Sequence, residues 1–202
     1  MFANKIDEKA ILNAAAVEFA DKGFSGARVD AIAERAGINK AMLYYRVGDK
    51  EELYRRVVLR GQADFRDTMM KAMESSVITP ETVKLMLEGV AEKAEKNRLI
   101  PSIILREIAG NGKTLPEDAM EGMRKLMEII ETMVSTGREE GVFRNIDPIT
   151  LQFVVTGAVF TLSLTAQMRQ ELNPENPGPV TSGQIAETLG DIISHGILKG
   201  RN

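Results

Sequence analysis

A short apolar stripe that ends in a glycine turn constrains the fold of this chain more than any other feature. Within residues 29–50, apolar side chains recur three and four positions apart, as on one face of a helix: Val29, Ile32, Ala33 and Ala36. Gly37 then supplies the left-handed backbone that often ends a helix. A second short helix is predicted to begin at Asn39, with its apolar side chains facing inward: Ile38, Leu43 and Val47. Two short helices joined by such a turn are typical of a helix-turn-helix, whose second helix lies in the DNA major groove.

The side chains outside this apolar face suit contact with DNA. They are Asn39, Lys40, Ala41, Met42, Tyr44, Tyr45 and Arg46. Amide and ammonium groups can donate to base edges or phosphates, and small or apolar side chains can approach a thymine methyl. Phenols and a guanidinium suit phosphate oxygens. Because glycine-turned hairpins are common, spacing alone leaves open an ordinary helical hairpin with an aromatic packing patch.

The segment GFSGARVDAIAERAGINKAMLYYRVGDKEEL resembles the DNA-binding signature of the tetracycline-repressor (TetR) family. The resemblance covers roughly Ile11 to Val57, and its most specific parts are Ala36-Gly37-Ile38, Leu43-Tyr44 and Lys50-Glu51. It implies an all-helical homodimer that represses transcription and releases DNA when a small molecule enters a larger C-terminal domain. The chain departs from the family pattern at Arg28, where a Ser or Thr cap is usual, and at Arg46-Val47, which replaces His-Phe. These departures concern individual phosphate contacts and leave the implied fold unchanged.

A new helix is predicted directly after the second helix of the motif. Gly48 breaks the chain, Asp49 can cap the next helix, and Glu52 stands three residues on, as a capping box requires. Lys50 then lies in the first turn, where its ammonium and the positive helix end could both meet a phosphate. With Arg28 and Val29 at the start of the motif, Lys50 completes the predicted DNA-binding residues.

The charge distribution is compatible with a polyanionic partner at the N-terminal end. The 202-residue chain has a net charge of −3, but residues 1–60 carry eleven Lys and Arg against nine Asp and Glu, or +2, and the remainder carries −5. This mild asymmetry fits a DNA-facing end on an acidic body. The chain contains no cysteine, and its first residues, MFANKIDEKA, lack the apolar core of a signal peptide. We therefore expect a cytoplasmic protein.

The fold class predicted from the whole sequence is all-α. Residues 1–48 are expected to form a three-helix DNA-binding domain, and residues 49–202 a larger helical domain for effector binding and dimerisation. Helix-ending glycines and helix-starting caps and prolines divide the chain, and no alternating run is long enough for a sheet. The main predicted helices beyond the motif span about 7–21, 49–75, 117–140 and 182–198. Three more are predicted to start at Pro80, at Pro101 and at Pro148, the second a short segment through Ile108.

The most apolar stretch begins at Pro148 and reads PITLQFVVTGAVFTLSLTAQM, without a charged residue. Its length fits a membrane span. Frequent Thr, Gln and Ser residues instead favour a helix that is buried in the protein or between two copies of it, so no membrane partner is expected. We predict a homodimer interface on the last two helices, at Gly157, Ala158, Leu189, Ile192 and Gly196. The alternative is that these residues belong to the core of a monomer.

A ligand cavity is predicted between the helices of the C-terminal domain. Its candidate residues are Met86, Ile103, Ile104, Met123, Met127, Phe153, Thr156 and Phe160, with Gln152 as a further polar contact. Methionine adapts its shape to varied apolar ligands, but it also fills ordinary cores, and the sequence leaves both roles open. The expected ligand is a hydrophobic small molecule.

The sequence contains no recognisable catalytic or metal-binding motif. His195 is the single histidine, no cysteine accompanies it, and Gly110-Asn111-Gly112 is too short for a phosphate-binding loop. We therefore expect neither an enzyme nor a bound metal or cofactor. The predicted function is a sequence-specific transcriptional regulator that binds palindromic operator DNA and is released by a small molecule. The alternatives are a helical ligand-binding protein whose helix-turn-helix no longer binds DNA, and an enzyme on a helical fold.

Overall fold

The computed structural model describes residues 8–73 and 78–197, apart from the side chains of residues 194, 195 and 197. These residues form α-helices joined by short turns, and no β-strand occurs among them, which confirms the predicted all-α class. The helices are α1 (Glu8–Gly26), α2 (Val29–Arg35), α3 (Lys40–Val47), α4 (Lys50–Ala72), α5 (Pro80–Lys96), α6 (Leu99–Ala109), α7 (Glu117–Glu139), α8 (Pro148–Leu172) and α9 (Ser182–Ile197).

Side-chain caps confirm the predicted starts of α3, α4, α5 and α8. Asn39 accepts a hydrogen bond from the Met42 amide, and Asp49 accepts one from the Glu52 amide. Thr79 and Thr82 form a reciprocal capping box at the start of α5, in which Pro80 is the first helical residue. The capping box predicted for Glu52 is wrong. Its carboxylate instead accepts hydrogen bonds from Arg55 and Arg56 on the same helix.

Two boundaries differ from the prediction for identifiable reasons. Gly23 has φ of 69° and ψ of 174°, so the first helix breaks there as expected, but helical turns resume and extend α1 to Gly26. Helix α6 begins at Leu99 rather than at Pro101. A proline in the first turn of a helix costs no hydrogen bond, because the amide groups of that turn have no partner within the helix.

The N-terminal helices pack around one apolar core that includes the beginning of α4. Its fully buried side chains include Ile11, Phe19, Ile32, Leu43, Val47, Leu53 and Tyr54. The Tyr54 ring lies 4.8 Å from the Phe19 ring and 5.0 Å from the Phe24 ring, measured between centroids. Helix α1 also packs against α6. The unit formed by α1, α2 and α3 therefore rests on α4 and α6 through α1.

Helix α8 has one buried side and one exposed apolar side. Within the described residues it is the helix long and apolar enough to cross a membrane, a property that core helices of soluble proteins share. Val155, Val159 and Phe160 are buried against the protein, and α8 packs on α5, α6, α7 and α9. The other side exposes about half of each of three apolar side chains, Ile149, Phe153 and Val154. One copy of the chain therefore leaves an apolar surface on α8 uncovered.

Candidate DNA-binding face and ligand cavity

The turn between α2 and α3 has the hydrogen bonds of a Schellman motif. The amide of Gly37 donates to the carbonyl of Glu34 at 3.0 Å, and the amide of Ile38 donates to the carbonyl of Ala33 at 3.0 Å. Gly37 has φ of 69°, the left-handed conformation that this motif requires. The turn fixes the direction in which α3 leaves α2.

Helix α3 presents nearly all of its surface except one apolar stripe. Leu43 and Val47 are fully buried, so they fix the helix to the core. The other predicted DNA-binding side chains on α3 are exposed: Lys40, Ala41, Met42, Tyr44, Tyr45 and Arg46. Asn39 uses its Oδ1 atom to cap α3, and its amide NH₂ group can still act as a donor.

Lys40 is held by an ion pair with α2. Its Nζ atom lies 2.9 Å from Oδ1 of Asp30, and both side chains are about half exposed. The hydrogen bond to Asp30 and the charge of that carboxylate raise the pKa of Lys40 above its ordinary value. Lys40 is therefore a cation on the face of the motif, but it must exchange or share Asp30 to contact DNA.

The start of α2 is secured without the Ser or Thr cap that the family pattern uses. Arg28 occupies the cap position with an exposed side chain, and its backbone amide donates to the buried carboxylate of Glu18 at 3.2 Å. Glu18 on α1 thus anchors the N-terminus of α2. The Val29 side chain is buried. It supports the motif from inside rather than reaching towards DNA, contrary to the prediction.

Lys50 points back towards the connection between α1 and α2. Its Nζ atom donates to the Ser25 carbonyl at 3.3 Å and lies 4.9 Å from the centroid of the Phe24 ring. The sequence indicated the position of Lys50 in the first turn of α4, which the structure has. It gave no sign of these two contacts, because both partners lie 25 residues or more earlier in the chain.

An apolar cavity lies among α4, α5, α6, α7 and α8. Its volume is about 130 Å³. The predicted residues that line it are Met86, Ile104, Met123, Met127, Gln152, Phe153, Thr156 and Phe160. Ile103, which was also predicted, is buried and does not line it. A larger groove of about 700 Å³ between α7 and the start of α8 is open to solvent and lined by charged residues such as Glu128 and Arg138, so it suits an apolar ligand less well.

The sequence prediction missed the wall of the cavity that α4 supplies. Gln62, Phe65 and Met69 line it at helical spacing. The other lining residues that were not predicted are Val90, Ile100, Ile108, Leu126, Ile130 and Val155. The structure places Gln62, a polar residue, on the buried side of α4. Buried polar groups are uncommon unless they have a partner or a role.

A second space of about 290 Å³ adjoins the cavity and reaches a buried carboxylate. Both spaces share the walls formed by Ile104, Ile108, Met123 and Phe153, and the second also includes Glu107. The Tyr54 hydroxyl donates to Oε1 of Glu107 at 2.6 Å, and the Thr114 hydroxyl donates to the same oxygen. Burial and the neighbouring Glu107 raise the pKa of Tyr54 above its ordinary value.

Helix α6 also contacts the C-terminal end of the first helical part of α1. The guanidinium of Arg106 donates to the carbonyls of Ala20 and Asp21, each at 3.2 Å. Gly23 lies against the same side chain, because a Cβ atom there would be 3.0 Å from Cδ of Arg106. One helix thus carries cavity residues on one side and a contact with the helix-turn-helix unit on another.

The residues predicted for a dimer interface differ in exposure. Ile192 is 60% exposed, and a Cβ atom added at Gly157 or Gly196 would meet nothing within 4 Å. Ala158 is half-buried. Leu189 is buried within the protomer, so it belongs to the core rather than to a free surface.

The part of the chain that the structure describes contains no cluster of three or more His, Cys, Asp or Glu side chains that could hold a metal ion. The side chain of His195 lies outside the described residues.

The exposed α3 after a Schellman turn, braced by α1 and α4, defines a helix-turn-helix DNA-binding protein. Residues 11–57 match the family model described as bacterial regulatory proteins, tetR family. Residues 11–57 therefore form a DNA-binding domain of the TetR family, and the chain is a DNA-binding transcriptional regulator. This confirms the resemblance seen in the sequence.

The individual proteins that this chain resembles are also transcriptional regulators. The chain is similar to the HTH-type transcriptional regulator RutR of Escherichia coli strain K12, with 29% identity over 73% of this chain and 69% of that protein. Its fold is similar to the TetR-family regulator PfmR of Thermus thermophilus, with 26% identity, a TM-score of 0.65, and 94% and 98% of the two chains covered. It is also similar to the ketosteroid regulator KstR2 of Mycobacterium tuberculosis, with 20% identity, a TM-score of 0.73, and 99% and 100% covered. These relatives are transcriptional regulators rather than enzymes.

Proposed function

We propose that this protein is a cytoplasmic, homodimeric repressor that leaves its operator when a small apolar ligand occupies the cavity among α4–α8. Residues 1–48 form its DNA-binding domain and residues 49–202 its effector and dimerisation domain. The DNA-binding residues are those predicted on and around α3, without the Val29 side chain. The ligand-binding residues are those that line the cavity.

The observation that carries this proposal is that α4 and α6 each contact both the cavity and the helix-turn-helix unit. On α4, Gln62 lines the cavity and Tyr54 packs on the aromatic rings of α1. On α6, Ile104 lines the cavity and Arg106 bonds to the end of α1. A ligand that changes the spacing of α4 and α6 therefore also changes the position of α3.

The energy required of the ligand is modest. Tenfold weaker operator binding needs about 1.4 kcal/mol of difference between the affinities of the ligand for the two states. A few apolar contacts that exist in only one of these states supply such a difference, since burying one methylene group is worth about 0.8 kcal/mol.

The dimer is supported by the uncovered apolar side of α8 and by the exposed Ile192 of α9. Soluble monomers rarely expose large contiguous apolar patches. Pairing of these two helices with their copies would bury this surface and form a bundle of four helices. It would also hold two α3 helices about 34–36 Å apart, which suits two half-sites on one face of a DNA duplex.

The test of operator binding is selection of genomic fragments by the purified protein, followed by affinity measurements across a salt series. We expect a palindromic sequence whose affinity falls steeply as salt rises, because each phosphate contact releases counterions. Only weak binding without sequence preference would contradict the proposal. It would favour the alternative, a helical ligand-binding protein that no longer binds DNA.

Lys40 and Lys84 provide a matched pair of variants for this test. Each side chain is about half exposed and pairs with a carboxylate, Asp30 or Glu88 respectively, but Lys84 lies on α5. Lys40→Ala should weaken operator binding about ten- to hundredfold and alter sequence preference if Lys40 reads a base. Lys84→Ala should bind as the unmodified protein does. Equal affinities of the two variants would contradict the assignment of α3 as the recognition helix.

A further inference from the structure

The chemistry of the cavity restricts the class of ligand that it can hold. Among the described residues that line it, none carries a charge. The polar groups on its walls are two amide side chains, Gln62 on α4 and Gln152 on α8, and the hydroxyl of Thr156. An ion bound there would lose its hydration without gaining an opposite charge, which is strongly unfavourable.

Gln62 presents a buried acceptor that no group in the described part of the chain satisfies. The side chain is 6% exposed, and its Nε2 atom donates to the Ala119 carbonyl at 2.9 Å. This bond fixes the orientation of the amide, because the reversed amide would bring two oxygen atoms together. Its Oε1 atom is buried without a hydrogen-bond partner among the described residues. Such a group costs about 1–3 kcal/mol unless something donates to it.

Oε1 of Gln62 packs closely against Gly122 on α7. A Cβ atom added at Gly122 on α7 would lie 2.4 Å from Oε1 of Gln62, well inside contact distance. Any other residue at position 122 would therefore press on the acceptor. The combination of a buried amide, an oriented oxygen and a glycine next to it is a built polar feature in an otherwise apolar wall.

A second unsatisfied acceptor lies on α8. Oε1 of Gln152 is also buried without a partner in the described part of the chain, and Gln152 lines the same cavity. The adjoining space adds a carboxylate, Glu107, which already accepts hydrogen bonds from Tyr54 and Thr114. The described walls of the cavity thus offer two unsatisfied acceptors and no charged group, whereas Glu107 in the adjoining space is already engaged by two hydroxyls.

We infer that the cavity binds an uncharged, largely apolar molecule whose hydroxyl or amide N–H group donates a hydrogen bond to Oε1 of Gln62. This inference rests on the proposed function in taking the cavity as the effector site. A carboxylate is excluded from this role because it would bring acceptor oxygens and a negative charge towards Gln62, Gln152 and Glu107. A hydroxyl or primary amide satisfies the buried acceptor without carrying a charge into the protein.

Calorimetric titration of the full-length protein without DNA tests the inference with probes of one chain length. The probes are 1-octanol, octanamide, octanoate and octylammonium at pH 7.5, where a carboxyl with an ordinary pKa of about 4 is ionised. We expect 1-octanol and octanamide to bind at least about tenfold more tightly than either ion. Equal or tighter binding of octanoate or octylammonium, or no binding of the alcohol and the amide, would overturn the inference.

Two variants of α4 assign the hydrogen bond. Gln62→Met removes the acceptor at similar volume and should weaken the binding of 1-octanol and octanamide about tenfold. Met70→Leu, on the exposed side of the same helix and outside the cavity wall, should bind the four probes as the unmodified protein does. Unchanged alcohol binding by a folded Gln62→Met protein would overturn the assignment. The probe preference of the unmodified protein tests the inference even if that variant fails to fold.

Failure of the inference is separable from failure of the proposed function. The probe comparison measures ligand binding without DNA. The proposed function fails if no operator is recovered or if no ligand weakens operator binding. The inference fails on the ratio of affinities for uncharged and charged probes alone.

Discussion

At the scale of single residues, the hydrogen bond between Tyr54 and Glu107 joins α4 to α6 inside the protein. Tyr54 is 1% exposed, and Glu107 is 6% exposed. Tyr54→Phe keeps the ring packing on α1 but leaves the carboxylate with one donor fewer. We expect the free energy of unfolding to fall by about 1–3 kcal/mol, the cost of a buried polar group that loses its partner. Urea denaturation followed by circular dichroism measures this change.

Tyr45 provides the control for this prediction. Its side chain is 87% exposed on the outer face of α3. Tyr45→Phe should leave stability unchanged and, because the hydroxyl is a predicted phosphate donor, should weaken operator binding. Equal stability of the Tyr54→Phe and unmodified proteins would show that the bond to Glu107 contributes nothing.

Single-residue contacts also show which site residues could be predicted from the sequence. The caps at Asn39 and Asp49 depend on neighbours three residues away, so the local pattern predicts them correctly. The contact of Lys50 with Ser25 depends on how separate helices meet. So does the support that Glu18 gives to Arg28. The spacing of residues along one helix does not predict contacts between residues of different helices.

At the scale of helices, Gly137 determines how closely the end of α7 approaches the following turn. A Cβ atom there would lie 2.4 Å from Cδ2 of Phe143, whose ring is buried and cannot swing into solvent. Gly137→Ala gains about 1 kcal/mol of helix propensity but overpacks this contact by about 1–3 kcal/mol. We expect a net loss of stability of up to about 2 kcal/mol, measured by chemical denaturation.

Gly183→Ala is the matched control on α9. A Cβ atom at Gly183 meets nothing within 4 Å, so this change should leave stability unchanged or raise it slightly. If Gly137→Ala were as stable as Gly183→Ala, Phe143 would have to relax into space that the packing does not show.

The helices themselves were largely predictable, and the cavity was partly so. Apolar spacing and terminal signals gave most boundaries, such as Thr79-Pro80 for α5 and Asp147-Pro148 for α8. The sequence identified cavity residues on α5 to α8 because they stand on apolar faces. It missed Gln62 because the choice among the buried faces of α4 depends on where α7 packs. It included Ile103 although that side chain points into the core.

At the scale of the whole molecule, the exposed apolar side of α8 predicts how two copies associate. Val154 on α8 and Leu85 on α5 are each 51% exposed, so they are apolar surface residues of equal exposure on different faces. Val154→Glu would place a charge without a counter-charge in the proposed interface. We expect it to raise the dissociation constant of the dimer about a hundredfold or more, because burying an unpaired carboxylate costs several kcal/mol.

Leu85→Glu should leave association unchanged, since α5 lies outside the proposed interface. Sedimentation across a concentration series measures the dissociation constant of the dimer, and circular dichroism checks that both variants keep their helices.

The same two variants also test whether dimerisation is needed for operator binding. A Val154→Glu monomer has one α3 helix, so its affinity for a palindrome should fall to that for a single half-site. A dimer that persists in Val154→Glu and dissociates in Leu85→Glu would move the interface from α8 to α5. The spacing of the two α3 helices would then require a different pairing of half-sites on the operator.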